Sequence, residues 1–483
     1  MLPTSQEDKK IEELINKTSE ILRKWNVNHK NYQIENILPQ GSTGLKQTHL
    51  QDAADLDLFI MLNPDNYRDI IYKNNTNQIN YKQLRSFFKT LCKEWIIPAL
   101  KESGYKKILL SYAEHPYVSA VHQDFDIDIV FAFLIKKKNL IKNGPITAVD
   151  RTYHHTKFIT SNLTKEQRND VRLLKKFFKT HLSYGDKAAT GRGGFIGYSA
   201  ELMIYYLEDI WTVFEKFESL PNCPLDFYKR TEKELRNRQR FQNNLLLIMD
   251  PTDENRNVAA SISPRSWIYC NDLIQNFRKN PSSDYFLKNQ LLDYQKLLNN
   301  IDKQQYVVVE YEERYKTHYT KVRDKLYSMA NSLKRKAAYD NNHNKRFGNV
   351  SYAIYFNPST SIYSLSFFTK KPIIDKYYLR RGPPADNSDH QKNFAKANPD
   401  YFKKDGFCWA KEERKQNNFY EFIKQNEKEQ QIKEVKRLRI GHPSQNLKTD
   451  EGKISVVVLK DCILPYEEEL KNILRKKNIS ITF

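Results

Sequence analysis

Two carboxylates spaced two residues apart, Asp55-Leu-Asp57, lie in an apolar run that reads as a strand. Side chains at i and i+2 of a strand point to the same face, so these acids are paired. Asp126-Ile-Asp128 repeats the spacing downstream, with Ile127 and Ile129 expected on the buried side. Close carboxylates repel unless cations neutralise them. Hard oxygen ligands of this kind suit Mg²⁺ carried in with a triphosphate. Two such ions roughly 4 Å apart would lower the pKa of an attacking hydroxyl and stabilise a departing pyrophosphate. Gly41-Ser42, upstream of the first pair, offers backbone N–H groups and a hydroxyl to phosphate oxygens. Asp-x-Asp alone is more often simply a solvated strand edge. The Gly-Ser loop at this spacing, with a third acid on an apolar strand, selects phosphoryl chemistry.

Those residues need a scaffold, and the pattern supplies one. Ser5 with Asp8 reads as a capping box, and Ile11, Leu14, Ile15, Ile21, Leu22 and Trp25 recur at helical spacing. A loop over 40–48 leads into a strand over 55–60. A helix near 82–102 precedes strands near 107–112 and 125–133, giving a small α+β domain that ends near residue 149. From Thr164 the chain turns helical, with Gln167 completing a second capping box. Glycines at 191, 193, 194 and 197 precede a long apolar helix expected over 199–217. The last third reads as strands over 306–311, 351–356 and 361–368, with a basic helix over 319–336. Residues 382–406 read as loop, 411–440 as a charged helix and 441–450 as a polar linker. Ser455-Val-Val-Val-Leu459 has the composition of an added strand.

Composition bounds the partners. The chain has 483 residues, which at about 150 residues per domain suggests about three domains. It carries 79 Lys and Arg against 58 Asp and Glu, a net charge of +21 that favours a polyanionic partner through counterion release. A Lys-rich, AT-biased genome would give the same surplus. No apolar run reaches the roughly 18 residues of a membrane span, and residues 1–10 lack the apolar core of a signal peptide. Five cysteines stand singly with no CxxC pair. A soluble, cytoplasmic protein is expected.

Gly41-Ser42 with Asp55-Leu-Asp57 resembles the signature of the DNA polymerase β-type nucleotidyltransferases. The resemblance narrows at Ala113-Glu-His-Pro-Tyr-Val118, Ala148-Val-Asp-Arg-Thr-Tyr-His-His-Thr156, Val171-Arg-Leu-Leu-Lys175, Tyr184-Gly185 and Gly194-Phe-Ile-Gly-Tyr198. Asp250-Pro-Thr-Asp253, Arg256-Asn-Val-Ala-Ala260 and Gly382-Pro-Pro384 continue it in order. Together they look like the class I, archaeal-type CCA-adding enzymes, from about residue 36 to about residue 420. The Gly-Ser loop is one residue longer than the family pattern, Lys46 stands where Arg is usual, and Tyr153 stands where Pro is usual.

The resemblance implies an α+β chain. Its parts would be a polymerase β-like catalytic head (1–149), a helical, nucleotide-selecting neck (150–285), an α+β body and tail binding tRNA (286–440) and an extension without assigned role (441–483). It implies Asp55, Asp57 and Asp128 as catalytic metal ligands for Mg²⁺, with Asp128 nearest the attacking 3′-hydroxyl. Gly41, Ser42 and Lys46 would meet the triphosphate, Thr152 the ribose and His155 the triphosphate. Lys175 and Tyr184 would hold the β- and γ-phosphates, and Arg256 would read the base. The implied activity is template-independent addition of C, C and A to the 3′ end of tRNA from CTP and ATP; a homodimer is compatible with it. The alternatives are an oligo- or cyclic-nucleotide synthase of the same superfamily, or a non-catalytic RNA-binding protein on a decayed fold. The tail-like C-terminal half speaks against the first and the intact acids against the second.

Overall fold

A computed structural model describes residues 2–480 except 52–54, 74–75, 77, 113–114, 288–292, 316, 340–344 and 387. Ala113 and Glu114 of one quoted motif therefore lie outside the described residues. The chain forms two compact units: residues 1–188, 193–289 and 472–481 make the first, and 189–192, 290–471 and 482–483 the second. The architecture is α+β.

The first unit is built on a five-stranded sheet of β1 (Asn36–Gln40), β2 (Asp55–Leu62), β3 (Lys106–Tyr112), β4 (Pro116–His122) and β5 (Phe125–Phe133). The strand order is β1-β2-β5-β4-β3, with β2 and β5 parallel and the other pairs antiparallel. A parallel pair needs a long crossover, and residues 63–124 provide it. The even residues of β2 (Leu56, Leu58, Ile60, Leu62) and the odd residues of β5 (Ile127, Ile129, Phe131, Phe133) enter one core. That core is closed by the helices α1 (Ser5–His29) and α2 (Tyr81–Leu91). On the opposite face the acids come first, followed by Phe59, Met61 and Ala132 under Val149 and Tyr153. Next in the chain come α3 (Thr152–Asn162), α4 (Lys165–Thr180), α5 (Gly197–Leu207) and α6 (Ile210–Lys216). Two short strands follow, β6 (Met249–Asp250) and β7 (Asp253–Asn257).

Several expectations are corrected here. The first capping box is Thr4 with Glu7, one residue earlier than Ser5 with Asp8. The helix expected over 199–217 breaks between α5 and α6. Glu208 adopts a left-handed φ of 75°, and the Asp209 side chain accepts from Thr212 N at 2.8 Å to start a new helix. Strands β1 and β4 were not anticipated. The Thr164–Gln167 capping box forms as expected.

The second unit has an antiparallel sheet of β8 (Tyr306–Glu313), β9 (Val350–Asn357), β10 (Ile362–Thr369) and β14 (Val435–Gly441), ordered β14-β8-β10-β9. A smaller sheet joins β11 (Tyr377–Pro384), β13 (Phe407–Glu413) and β12 (Phe402–Lys404), ordered β11-β13-β12. Residues 382–406 are thus more ordered than a loop. Gly382 lets its strand lie on the Phe394 ring of the helix Ser388–Ala397, where a Cβ would come within 2.6 Å. The expected 411–440 helix is the end of β13, then α8 (Phe419–Glu429), then β14. Val435-Lys-Arg-Leu-Arg-Ile440 pairs with β8 across a register shift between Arg437 and Arg439.

One face of the four-stranded sheet packs on α7 (Tyr319–Ala338) and α8. The other face is covered by α9 (Asp450–Val457) and the wide turn Val458–Ile463. The valine run is therefore helical, not a strand. Thr449 caps it by accepting from Gly452 N at 2.9 Å, and Val456, Val457, Val458 and Leu459 are all buried. Burial on every side overrides β propensity. Ser455 Oγ lies 2.9 and 2.6 Å from the hydroxyls of Ser364 and Ser366 on the strand beneath. Among the described residues, no helix is long and apolar enough to cross a membrane.

Residues 450–463 of the extension are thus part of the core of the second unit. Leu459→Ala should cost about 2–5 kcal/mol, the range for a truncated core leucine. Lys453→Ala, nearer the surface, should stay within about 0.5 kcal/mol. Denaturant unfolding followed by tryptophan fluorescence measures both; equal effects would show that residues 450–463 do not cover this sheet.

Candidate active site

The parallel register of β2 and β5 sets Asp55 beside Asp126 and Asp57 beside Asp128. Gln40, the last residue of β1, lies opposite Asp57. The chain then turns at Gly41, whose φ is +70° and whose added Cβ would sit 2.3 Å from Asp57 Oδ2. Only glycine lets the loop pass this close to the carboxylate. Ser119, on the other side of β5, donates to Asp128 Oδ1 at 2.6 Å.

Burial, with Asp128 and Asp55 nearby, pushes the Asp57 carboxyl up to about 7. Burial likewise pushes Asp128 up to about 6, against the bond from Ser119. Asp126 is raised by burial and by Asp55. The sheet therefore holds more negative charge than its own cations compensate, which is the condition a hard divalent cation relieves. Among the described residues, no three His, Cys, Asp or Glu side chains converge closely enough to hold a metal alone. The donor set instead fits a cation that shares two carboxylates with substrate oxygens.

Beside the acids lies a cationic cluster. Lys46 Nζ is 2.7 Å from Glu201 Oε2, and Lys175 Nζ is 3.3 Å from Glu201 Oε1. Thr48 Oγ1 donates to Glu201 Oε1 at 2.7 Å and accepts from Lys175 at 2.9 Å. Arg172, on the same helix as Lys175, donates to the carbonyls of Gln47 and His49. Helix α4 thereby clamps the loop that begins at Gly41-Ser42. A Cβ at Gly197 would lie 3.1 Å from the Tyr184 hydroxyl and 3.4 Å from Lys175 Nζ. Both groups therefore converge at the N-terminus of α5, where backbone N–H groups favour anions.

A third cluster surrounds buried Asp250. Its Oδ2 accepts from Arg256 Nη1 at 2.9 Å and lies 2.8 Å from His155 Nε2. Its Oδ1 accepts from Tyr198 at 3.0 Å and from the Thr252 hydroxyl at 2.7 Å. Burial lowers the His155 imidazolium to about 4, so the ring is neutral at pH 7. Its Nε2 also lies 3.1 Å from Arg256 Nη1, so one ring nitrogen faces both the Asp250 carboxylate and the Arg256 guanidinium. Tyr198 stacks on His155 with centroids 4.1 Å apart, and Lys46 Nζ lies 5.0 Å above the Tyr198 ring. The tyrosine thus joins the lysine cluster to the Asp250 cluster.

Of the residues expected from sequence, Gly41, Asp57 and Asp128 meet at the sheet, with Asp55 exposed at the start of its strand. Lys46, Lys175 and Tyr184 gather around Glu201 and Gly197, and His155 and Arg256 around Asp250. Ser42 lies in the turn after Gly41, and Thr152 opens α3. Glu201, Arg172, Tyr198 and the role of Asp250 as a hub were not anticipated. A lone acid in the apolar run Tyr198-Ser-Ala-Glu-Leu-Met-Ile204 was the legible sign of Glu201.

A raised folded-state pKa means stability present at low pH and lost as pH climbs from the unfolded value near 4 through the folded one. In metal-free solution, Asp57→Asn should therefore gain stability relative to the parent chain between about pH 4 and pH 7, and the gain should level off above. Melting in chelator across this range tests it. A difference that does not vary with pH would mean that Asp57 ionises normally.

Residues 169–287 match the tRNA nucleotidyltransferase second domain. The CCA-adding enzyme of Saccharolobus islandicus is 29% identical over 291 residues, 60% of this chain and 60% of that protein. The CCA-adding enzyme of Pyrobaculum aerophilum is 31% identical over 288 residues, 59% of this chain and 60% of that one. The match thus spans about 60% of the length of these relatives. Among solved structures, the Cid1 poly(U) polymerase overlaps 59% of this chain and 94% of its own at 14% identity, with a TM-score of 0.41. By these sequence matches, about 60% of the chain is similar to archaeal CCA-adding enzymes, and residues 169–287 to the second domain of tRNA nucleotidyltransferases.

Proposed function

We propose that this chain adds C, C and A to the 3′ end of tRNA from CTP and ATP, without a template. The observation that carries this reading is the adjacency of three groups: a charge-deficient acid pair, a lysine cluster open at a helix N-terminus, and an arginine fixed by a buried carboxylate. The tRNA 3′ oxygen would attack the α-phosphorus, the α–β bridging bond would break, and pyrophosphate would leave. Mg²⁺ bound by Asp57 and Asp128, with Asp55 at the rim, would acidify the attacking hydroxyl and neutralise the departing charge.

The remaining roles belong to the chain's own side chains. Lys46, Lys175, Tyr184 and the Gly41-Ser42 loop would hold the triphosphate. Thr152 would meet the ribose, and His155 the phosphates. Arg256 spends one nitrogen on Asp250 and would present the rest of its fork to the base. Residues 1–149 would then act as catalytic head, 150–285 as selecting neck and 286–440 as body and tail for tRNA, in the cytoplasm. Support for RNA in the second unit comes from cations over aromatic rings. Arg381 lies 3.5 Å from the Phe407 centroid, Arg414 4.4 Å from that of Tyr378 and Lys411 4.6 Å from that of Tyr377. A cavity of about 630 Å³ is lined by Lys345, Arg346, Lys371, Tyr378 and Arg414.

A tRNA ending at its discriminator base should gain three nucleotides with CTP and ATP, two with CTP alone and almost none with ATP alone. Asp57→Ala should abolish C and A addition together. Resolved on a sequencing gel, small tRNA-independent products would indicate an oligo- or cyclic-nucleotide synthase, and unlimited A addition a poly(A)-type enzyme.

Base choice gives a second test. Loss of a charged hydrogen bond costs about 1.5–3 kcal/mol, so Arg256→Ala should slow C addition roughly tenfold to a hundredfold and admit some U. An unchanged preference for C over U in single-turnover assays would place selection elsewhere.

A further inference from the structure

We infer that Glu201 is a positioning residue for the triphosphate site: its buried carboxylate holds the Lys46 and Lys175 ammonium groups side by side where both can meet a polyphosphate. The inference rests on the function proposed above and adds a residue that does not itself touch substrate.

The geometry is a closed ring drawn from three elements. Glu201 comes from α5, Lys175 from α4, and Lys46 and Thr48 from the loop after Gly41. Both carboxylate oxygens are used: Oε2 faces Lys46, while Oε1 faces Lys175 and accepts from Thr48. Lys175 also donates to the Thr48 carbonyl at 3.1 Å. Glu201 is 1% exposed, so this carboxylate sits beneath the lysines, away from solvent. The N-terminus of α5 comes close to the ring at Gly197, where an added Cβ would lie 3.1 Å from the Tyr184 hydroxyl and 3.4 Å from Lys175 Nζ.

A buried carboxylate here does two things that an apolar residue would not. It prevents the two ammonium groups from repelling each other apart, and it keeps them charged. Burial alone disfavours both charged forms. Even with its partner, Lys175 is lowered by burial to about 8. Burial would raise Glu201, yet the two lysines hold it down at about 2. The charged or titratable groups facing Lys175 are Glu201, Lys46, Tyr184 and, on its own helix, Lys179. Of these, Glu201 alone supplies negative charge at neutral pH.

The test is the dissociation constant of CTP and of ATP at pH 6 and pH 8, for the parent chain and for Glu201→Gln. Taking variant over parent at each pH cancels the titration of the acid pair, which is common to both. The ratio should be within about threefold of unity at pH 6 and roughly tenfold or more at pH 8, because a neutral Lys175 no longer attracts phosphate. It should be the same for CTP and ATP, which share the triphosphate. A ratio that does not change with pH overturns the inference and leaves Glu201 a structural ion pair. A parent chain that binds neither nucleotide overturns the proposed function instead. If Glu201→Gln does not fold, the near-isosteric Thr48→Val opens the same ring. A severalfold weakening, equal for CTP and ATP, supports the inference, and an unchanged affinity overturns it.

Discussion

Two carboxylates on adjacent parallel strands, Asp57 and Asp128, repel each other in a half-buried setting, and the surrounding structure is arranged to contain that repulsion. The parallel register fixes their separation, and reaching that register requires the long crossover through residues 63–124. The apolar faces of β2 and β5 anchor both strands in one core, so neither acid can move away without unpacking it. Gly41 brings the loop against Asp57 without a side chain, and Ser119 offers Asp128 one hydrogen bond. The protein withholds full compensation, and under the proposed function a cation with its substrate oxygens would supply the remainder.

The same economy of charge appears at the other two clusters with the sign reversed. Glu201 and Asp250 are both buried, and each is surrounded by donors that keep it ionised. Each organises the side chains packed on it, Lys46, Lys175 and Thr48 around Glu201 and Arg256, His155 and Tyr198 around Asp250. Acids at the sheet, and acids buried beneath cations at the helices, give adjoining clusters of opposite sign, the pair that the proposed metal-bearing triphosphate would require.

Much of the site was legible because its signals are local. A two-residue spacing fixes which face the acids share, and Gly-Ser followed by Asp-x-Asp is a short pattern. The Thr164–Gln167 cap places α4 and therefore Lys175. What escaped was settled by residues far apart in sequence. Glu201 meets Lys46 across 155 positions, and Asp250 meets His155 across 95. Strand β4 begins at Pro116, which reads as a turn residue until β5 is beside it. The valines at 456–458 favour a strand locally, but the polar sheet face beneath them, with Ser364 and Ser366, accepts a helix through Ser455. The charged 411–440 segment hid β14 because Lys and Arg are interspersed there with apolar residues on a half-covered edge strand.

The chain returns to its first unit after completing most of its second. Residues 472–481 belong to the unit that begins at the N-terminus, and Lys477 pairs with Glu232 at 2.7 Å across 245 positions. Ribosomal synthesis is vectorial, and domains tend to fold as they emerge. Here the unit that begins at the N-terminus leaves the ribosome early but lacks residues 472–480 until the intervening unit has been translated. Its maturation in the cell is therefore gated by elongation through residues 290–471. A chain stalled in that interval presents Glu232 with Arg236 but without Lys477, a distinguishing mark for the factors that survey unfinished proteins.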